Sequence, residues 1–439
     1  MTYLYINSFF NYVIMVLNMI ITKVMGRVGY YEIDEQTLYD IFYNMIDYGY
    51  NEEDDDEDDD DEDDGEVDCS EPIIVGLLTN EIPPIVYGGV ATWIVNFMKM
   101  FEGHKNITVV PIYLAYNDKL PEECYDKYPN IRVINNESEI EEMFEGIDVC
   151  INNLWIALDT IIKLKEYYPD MNVISVCHSL IRMENITNLG SVYTNNFNQQ
   201  ELIFQNSDCV VLISKAEETY YNTFGYDLFG TKTCVIHNSY SPMFDNVEKE
   251  IDYESNDLGY IGRHVPRKRP ELVIKAVDYL NNKDVKVVNM GVDYDKYDNE
   301  YWRELKKEYK DQLEIVPFST DKDVKEKYWE SVGVNCITGI YEPFGYTICE
   351  SIDRGIPVIV QNIDGPKEII DEVKEYIITY DVDWDIDKDI INFSEAVDKI
   401  WKLTPEERRD NCIKARKCLD KLRPEAIRKD WYSLIKEMV

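Results

Sequence analysis

Residues 341–368 read YEPFGYTICESIDRGIPVIVQNIDGPKE, and the other assignments are built outward from this stretch. The apolar run before it, residues 332–340, predicts a buried strand ending in a loop. Pro343 and Gly345 break the chain, residues 347–354 have helical spacing, and Gly355-Ile-Pro stops the helix before a short strand at 358–360. A glycine leading into a helix leaves unpaired backbone N–H groups at the first turn, where the helix dipole adds partial positive charge. Such a site suits a phosphate. Glu342 and Glu350 flank it. Carboxylates this close to a diphosphate repel it unless they accept hydrogen bonds from neighbouring sugar hydroxyls. The bland alternative, an ordinary strand–loop–helix with two solvated acids, stays open on this stretch alone.

The run E-P-F-G-Y-T-I-C-E resembles the E-x7-E signature of retaining glycosyltransferases with the GT-B fold, glycosyltransferase family 4 (glycosyl transferases group 1). The resemblance implies that Glu342 contacts the donor sugar and Glu350 the nucleotide ribose. It also implies that the turn through Phe344, Gly345, Tyr346 and Thr347 holds the diphosphate on backbone amides.

A chain of 439 residues has room for two or three domains. Its net charge of −41 argues against nucleic acid as a partner. Residues 52–68 hold 15 acids and no base; without them the balance is still −26. An anionic substrate therefore needs a focused basic spot. The 10 cysteines form no C-x-x-C pair and no Cys/His cluster, and several sit in apolar strand-like runs, which fits a reducing, cytoplasmic compartment.

Residues 1–22 carry no charged side chain and have the length of a membrane span, yet Asn7, Asn11, Asn18 and Thr22 form a polar stripe. A signal-anchor, an interfacial helix and upstream sequence with no role in the fold all remain open; in the first case Lys23 and Arg27 keep the catalytic part cytoplasmic. Residues 31–48 read as a short amphipathic helix, and the acidic run after it as a disordered tether. Its D-x-D matches read as solvated charge rather than a metal site, because ligands need a rigid frame.

From residue 71 the pattern alternates strand and helix, as in a parallel sheet. Strands are expected at 73–78, 108–114, 132–135, 148–152, 172–177 and 209–213. Gly88-Gly89 stands at a strand-to-helix crossing where backbone can approach a ligand; it is not the G-x-G-x-x-G dinucleotide fingerprint. Its context, IPPIVYGGV, resembles the family's P-P-x-x-G-G-x element, which faces the donor diphosphate and sugar. His178-Ser179 ends an inner strand, where open α/β sheets bind ligands. By the resemblance His178 lies near the transferred sugar. The segments SDCVVLISKAEETYY and TCVIHNSY resemble the family's A-D-x-V-I-x-V-S-e and V-I-P-N-G stretches, with His237 and Ser239 in place of the commoner Pro and Gly.

In the second half, strands are expected at 258–261, 285–291 and 313–318. After the first comes GRHVPRKRP, with Arg263, Arg267, Lys268 and Arg269 within seven positions of a very acidic chain. Arg can clamp a phosphate and Lys adds a point charge, either of which balances charge on a leaving diphosphate. Gly262, Arg263 and Lys268 match the family's G-R-x-x-x-x-K signature, which implies that Arg263 and Lys268 are phosphate ligands. Phe318 and Ser319 then fall where the family binds the nucleobase. Asp364-Gly-Pro-Lys-Glu368 resembles the family's G-x-x-E turn, and DVDWDIDKD from Asp381 reads as a loop. Two terminal helices are expected from Pro405 and Pro424.

The resemblance implies two Rossmann-like parallel-sheet domains facing a cleft. The acceptor domain spans residues 71–240 and the nucleotide-sugar donor domain 257–420, with a C-terminal helix at 421–439 packing back on the first. Residues 1–30 and 31–70 precede them as an apolar segment and an acidic linker. The implied activity is retaining transfer of a hexose-like sugar from a UDP- or GDP-linked donor to a glycan, lipid-linked or protein-linked hydroxyl, without metal or other cofactor. His178, Arg263, Lys268 and Glu342 carry the chemistry. Donor contacts come from Gly88, Gly89, Arg263, Lys268, Phe318, Ser319, Glu342, Phe344, Gly345, Tyr346, Thr347 and Glu350. A nucleotide-sugar epimerase or hydrolase on the same architecture, and a catalytically silent scaffold, are the alternatives.

Overall fold

The computed structural model describes residues 71–86, 88–115, 120–187, 197–242, 251–282, 284–291, 300–319, 322–383 and 385–439. The chain divides into two units, Met1–Val67 and Asp68–Val439, and all described residues lie in the second. The apolar segment at 1–22, the helix expected at 31–48, the acidic run and Tyr87 lie outside the described residues.

Short apolar runs with no room for a full helix become strands buried on both faces. The first seven are β1 (Ile73–Thr79), β2 (Ile107–Leu114), β3 (Arg132–Ile134), β4 (Val149–Asn152), β5 (Asn172–Cys177), β6 (Cys209–Leu212) and β7 (Lys232–Val235). They form one parallel sheet in the order β3-β2-β1-β4-β5-β6-β7, with Val75 opposite Val149 where the order reverses. The next six are β8 (Leu258–Gly262), β9 (Val287–Gly291), β10 (Leu313–Pro317), β11 (Val334–Ile337), β12 (Val358–Gln361) and β13 (Ile378–Tyr380). These make a second parallel sheet, β10-β9-β8-β11-β12-β13, reversing between β8 and β11. Helices cover both faces of each sheet, so neighbouring residues feed opposite cores. Ile174 and Val176 of β5 join one apolar cluster, while Val173 and Cys177 join another.

The first of those clusters runs without a break from β1 and β5 to Ile348 and Ile352 beside the second sheet and to Ile427, Trp431 and Ile435 near the C-terminus. Trp431 fixes that continuity. The helix Pro424–Glu437 lays it edge-on against Trp93 and Phe97 of the helix Gly89–Met100, with ring centroids 5.6 and 5.1 Å away. Asn172 adds a 2.9 Å hydrogen bond from its Nδ2 to the Met438 carbonyl. The chain thus ends on the first sheet's flank after building the second.

Two local expectations fail, each for a stated reason. Asp364-Gly-Pro-Lys-Glu368 is not a turn: it is the first turn of the helix Asp364–Val373. Proline is tolerated there because the first-turn N–H groups have no partner in the helix. The acid-rich DVDWDIDKD is not a loop throughout. Asp385 caps the 16-residue helix Ile386–Trp401, its side chain accepting from the Asp387 amide, with Asp387 and Asp389 in the first turn. Acids that look like solvated charge in sequence are here placed at the positive end of the dipole.

Candidate functional site

In a doubly wound sheet, the loops beyond the carboxyl ends of the strands part at the point where strand order reverses. Here those ends are β1 and β4 in the first sheet, with β5 beside β4, and β8 and β11 in the second. Arg263, Arg267, Lys268 and Arg269 follow β8, and Glu342 and Glu350 follow β11.

Gly345 takes φ 107°, and a Cβ there would stand 2.9 Å from Ile348 Cδ1. The positive φ is what favours glycine here, while the Ile348 contact is with a side-chain tip that can shift. Gly345 starts the helix Tyr346–Arg354 with no side-chain cap; the Ile348 amide donates to the Gly345 carbonyl at 2.9 Å, which leaves the Tyr346 and Thr347 amides of the first turn for a ligand. The loop is held from behind: the Gly365 amide donates to the Glu342 carbonyl at 3.2 Å, and a Cβ on Gly365 would stand 2.0 Å from the Pro343 carbonyl oxygen. From the first domain, the glycine pair reaches the same place. A Cβ on Gly89 would lie 4.0 Å from the Tyr346 ring.

The four cations after β8 split into two kinds. Arg269 is buried, at φ 49°, and pairs with buried Asp389 at 2.5 Å. Arg267 is buried too; its guanidinium donates to the Tyr341 carbonyl (3.1 Å) and to Glu184 of the first domain (3.0 Å). Neither is available to a ligand, so half of the basic spot is structural. Lys268 and Glu342 form an ion pair, with only 18% and 17% of the two side chains exposed. Burial pushes the Lys268 ammonium down to about 8, with Glu342 opposing and Arg267 and Arg263 assisting. Burial pushes the Glu342 carboxyl up, but Lys268, Arg267 and Arg263 outweigh it and hold it below the usual carboxylate range. Arg263 is exposed. It faces Glu81, whose carboxyl burial raises and Arg263 lowers.

His178 follows β5. Its Nε2 lies 2.8 Å from Asn153 Oδ1, and Trp93 packs edge-on at 5.2 Å. Burial pushes the imidazole down to about 3, so it is neutral at physiological pH. Ser179 Oγ donates to Glu184 at 3.0 Å, the carboxylate that also pairs with Arg267 across the cleft. Glu350 is partly buried, and burial raises its carboxyl against the opposing charge of Lys325. Phe318 is 43% exposed beyond the end of β10, with Ser319 beside it.

A second set of residues joins the two domains; sequence reasoning missed Glu217 and took Asp364 and Glu368 only as part of a turn. Glu217, on the helix Lys215–Thr223, is fully buried and accepts from the Tyr341 hydroxyl at 2.9 Å. Burial pushes its carboxyl well up. Asp364, at φ 47°, accepts from the Tyr220 hydroxyl, and burial pushes it up to about 7. Glu368 reaches from the second domain to accept from the Lys215 and Ala216 amides at 3.0 and 2.9 Å, and pairs with His237 at 2.6 Å. His237, Asp364 and Glu368 stood out in the sequence by substitution or motif; Glu217, and the partners all four take, are visible only in three dimensions.

Among the described residues no cluster of His, Cys, Asp and Glu could hold a metal ion, and no helix is long and apolar enough to cross a membrane. The arrangement can hold an anion against open amides and two cations, with carboxylates beside it to accept from hydroxyl groups.

Residues 244–417 match the family described as Glycosyl transferases group 1. A glycogen synthase from Pseudothermotoga lettingae is 25% identical over 174 residues, 34% of this chain and 35% of that protein. The chain therefore spans about a third of that relative's length. Sucrose-phosphate synthase from Thermosynechococcus elongatus shares the fold with a TM-score of 0.67 at 18% identity, over 83% of this chain and 99% of that one. HepE from Anabaena, solved with UDP and glucose, shares it with a TM-score of 0.63 at 14% identity, over 83% and 100%. The described chain thus has the two-sheet GT-B fold, and the segment that matches Glycosyl transferases group 1 carries Arg263, Lys268, Glu342 and Glu350.

Proposed function

We propose that the chain is a glycosyltransferase that moves a sugar from a nucleoside-diphosphate sugar to a hydroxyl acceptor with retention of anomeric configuration. The observation that carries this reading is the uncapped start of the helix Tyr346–Arg354, flanked by Glu342 and Glu350 and faced by Arg263 and Lys268. The diphosphate lies on the first-turn amides, Glu350 accepts from the ribose hydroxyls, and Phe318 with Ser319 borders the base. UDP is the first nucleotide to test, since HepE was solved with it.

Lys268 and Glu342 satisfy each other as an ion pair. A donor replaces that pair: Lys268 turns to the phosphate and Glu342 becomes free to accept from a sugar hydroxyl. The bond from the anomeric carbon to the diphosphate oxygen then breaks, and the acceptor oxygen bonds to the same face. The acceptor proton passes to the departing phosphate oxygen, leaving the nucleoside diphosphate. Arg263 and Lys268 stabilise the charge developing on that leaving group, the role a divalent cation plays elsewhere. The acceptor enters from the first domain, near His178 and Gly88-Gly89.

The test is to incubate the full chain with UDP-glucose and a panel of glycan and lipid acceptors, following UDP release and the anomeric signal of the product. Acceptor-dependent UDP release with the donor's anomeric configuration in the product supports the reading. Inverted product removes retention. Free sugar released equally with and without acceptor favours a hydrolase.

A further inference from the structure

His178 stands at the carboxyl end of β5 in the first domain, and the structure shows which of its nitrogens is spoken for. β4 ends at Asn152, whose side chain is used in holding its own turn: Oδ1 accepts from the Leu154 amide at 3.0 Å, and Nδ2 donates to the Leu154 carbonyl and to Ser175 Oγ, both at 3.1 Å. That turn directs the next residue, Asn153, which is 5% exposed, toward β5 and His178. The Asn153 backbone amide donates to the Leu78 carbonyl at 3.1 Å, and its Nδ2 faces the same carbonyl at a long 3.5 Å. A flipped amide would set Oδ1 against that carbonyl, two acceptors face to face in a buried place. Oδ1 therefore points to His178, and an acceptor there requires a donor on Nε2.

We propose that Asn153 is a positioning residue that fixes His178 as the Nε2–H tautomer, leaving Nδ1 as a hydrogen-bond acceptor for a hydroxyl group in the cleft. Among the described residues no protein group hydrogen-bonds Nδ1, and this nitrogen is not sealed in the core. Trp93 holds the ring edge-on and limits its rotation. The lone pair of Nδ1 repels a phosphate oxygen and accepts from a hydroxyl, so His178 reads the neutral part of a donor and not its anionic part. This rests on the donor reading above for the identity of the hydroxyl, a sugar hydroxyl. The tautomer itself does not depend on that reading. Burial holds the imidazole neutral, so the same tautomer persists across the physiological range.

The experiment is a two-bond proton–nitrogen correlation on the full chain labelled with 15N-histidine, with His178→Gln assigning its resonances among the four histidines. The expected spectrum has a pyrrole-type Nε2 and a pyridine-type Nδ1, unchanged between about pH 5 and 9. An Nδ1–H tautomer or an imidazolium in that range overturns the proposal with no variant needed. Asn153→Leu should give mixed tautomers, and Asn153→Asp should raise the His178 pKa by roughly one to three units through the new carboxylate. A wild-type tautomer surviving in a folded Asn153→Leu overturns it as well. UDP-glucose should move the Nδ1 resonance and UDP alone should not. If UDP raises the melting temperature but UDP-glucose leaves Nδ1 unmoved, the hydroxyl contact is wrong. If neither nucleotide alters melting while the Nε2–H tautomer is seen, the donor reading falls and the Asn153 assignment stands.

Discussion

The two sheets have the same strand order around their switch points, yet the ends of their strands carry opposite chemistry. The second sheet presents charge: Arg263 and Lys268 after β8, and Glu342 with the open amides of Tyr346–Arg354 after β11. The first presents no cation in the set described above: it offers the Gly88-Gly89 backbone, Asn153 and an imidazole that burial keeps uncharged, together with the acids Glu81 and Glu184, which answer Arg263 and Arg267. Equal topology therefore does not mean equal ligands. In the reading proposed here the second sheet's side takes the nucleoside diphosphate, and the first sheet's side takes hydroxyl groups.

The sharpest way to break the comparison is to cut cations that look alike in sequence. Arg269→Ala should cost about 3–5 kcal/mol of stability, because it leaves Asp389 buried without its partner, while donor affinity in the folded protein stays unchanged. Denaturant unfolding and nucleotide titration check both halves. Lys268→Ala should instead lower turnover by about 10² to 10³, the scale of losing one group that stabilises charge in the transition state. Near-normal kcat in that variant contradicts the assignment.

Acidity sharpens the contrast next. Burial pushes the Lys268 ammonium down to about 8, so it is charged below that pH and neutral above it. The pH profile of kcat/KM, which reports free-enzyme groups, should fall above about pH 8, approaching tenfold per unit. His178 should leave no inflection between pH 5 and 8. The smallest effect is at the seam between the domains. Glu368→Gln should cost about 0.5–2 kcal/mol, the scale of a helix cap, since its carboxylate accepts from the first amides of Lys215–Thr223. Neighbouring His237 and the two amides outweigh burial and keep the Glu368 carboxyl below its ordinary value. That contribution is therefore present above the unfolded carboxyl pKa, near pH 4.5, and fades as pH falls through the lower folded value. A melt measured from pH 3 to 7 on both proteins reads it.

Much of this was legible in the chain, for local reasons. Strands such as Asn172–Cys177 are short apolar runs bounded by breakers, and the pairing of Pro343 and Gly345 before a helical run marks an open helix start. What was not legible depends on distant partners. Nothing near Arg269 announces Asp389, 120 positions away, so Arg269 and Lys268 read alike although one is an internal strut and the other faces the cleft. The helix Ile386–Trp401 was hidden because its capping acids look the same as a solvated run until the helix is in place. Asn153 was passed over because an asparagine after a strand is an ordinary turn residue; only the 2.8 Å contact with His178 gives it a role.

The most direct test of the central claim is a thermal melt of the full chain with UDP, GDP and ADP, repeated with Arg263→Ala. A nucleotide at about a hundred times its Kd should add roughly 2.7 kcal/mol of stability. The account predicts that one nucleotide, UDP first, raises Tm and that Arg263→Ala abolishes the rise without lowering the unliganded Tm. No shift with any of the three, or an undiminished shift in Arg263→Ala, contradicts it.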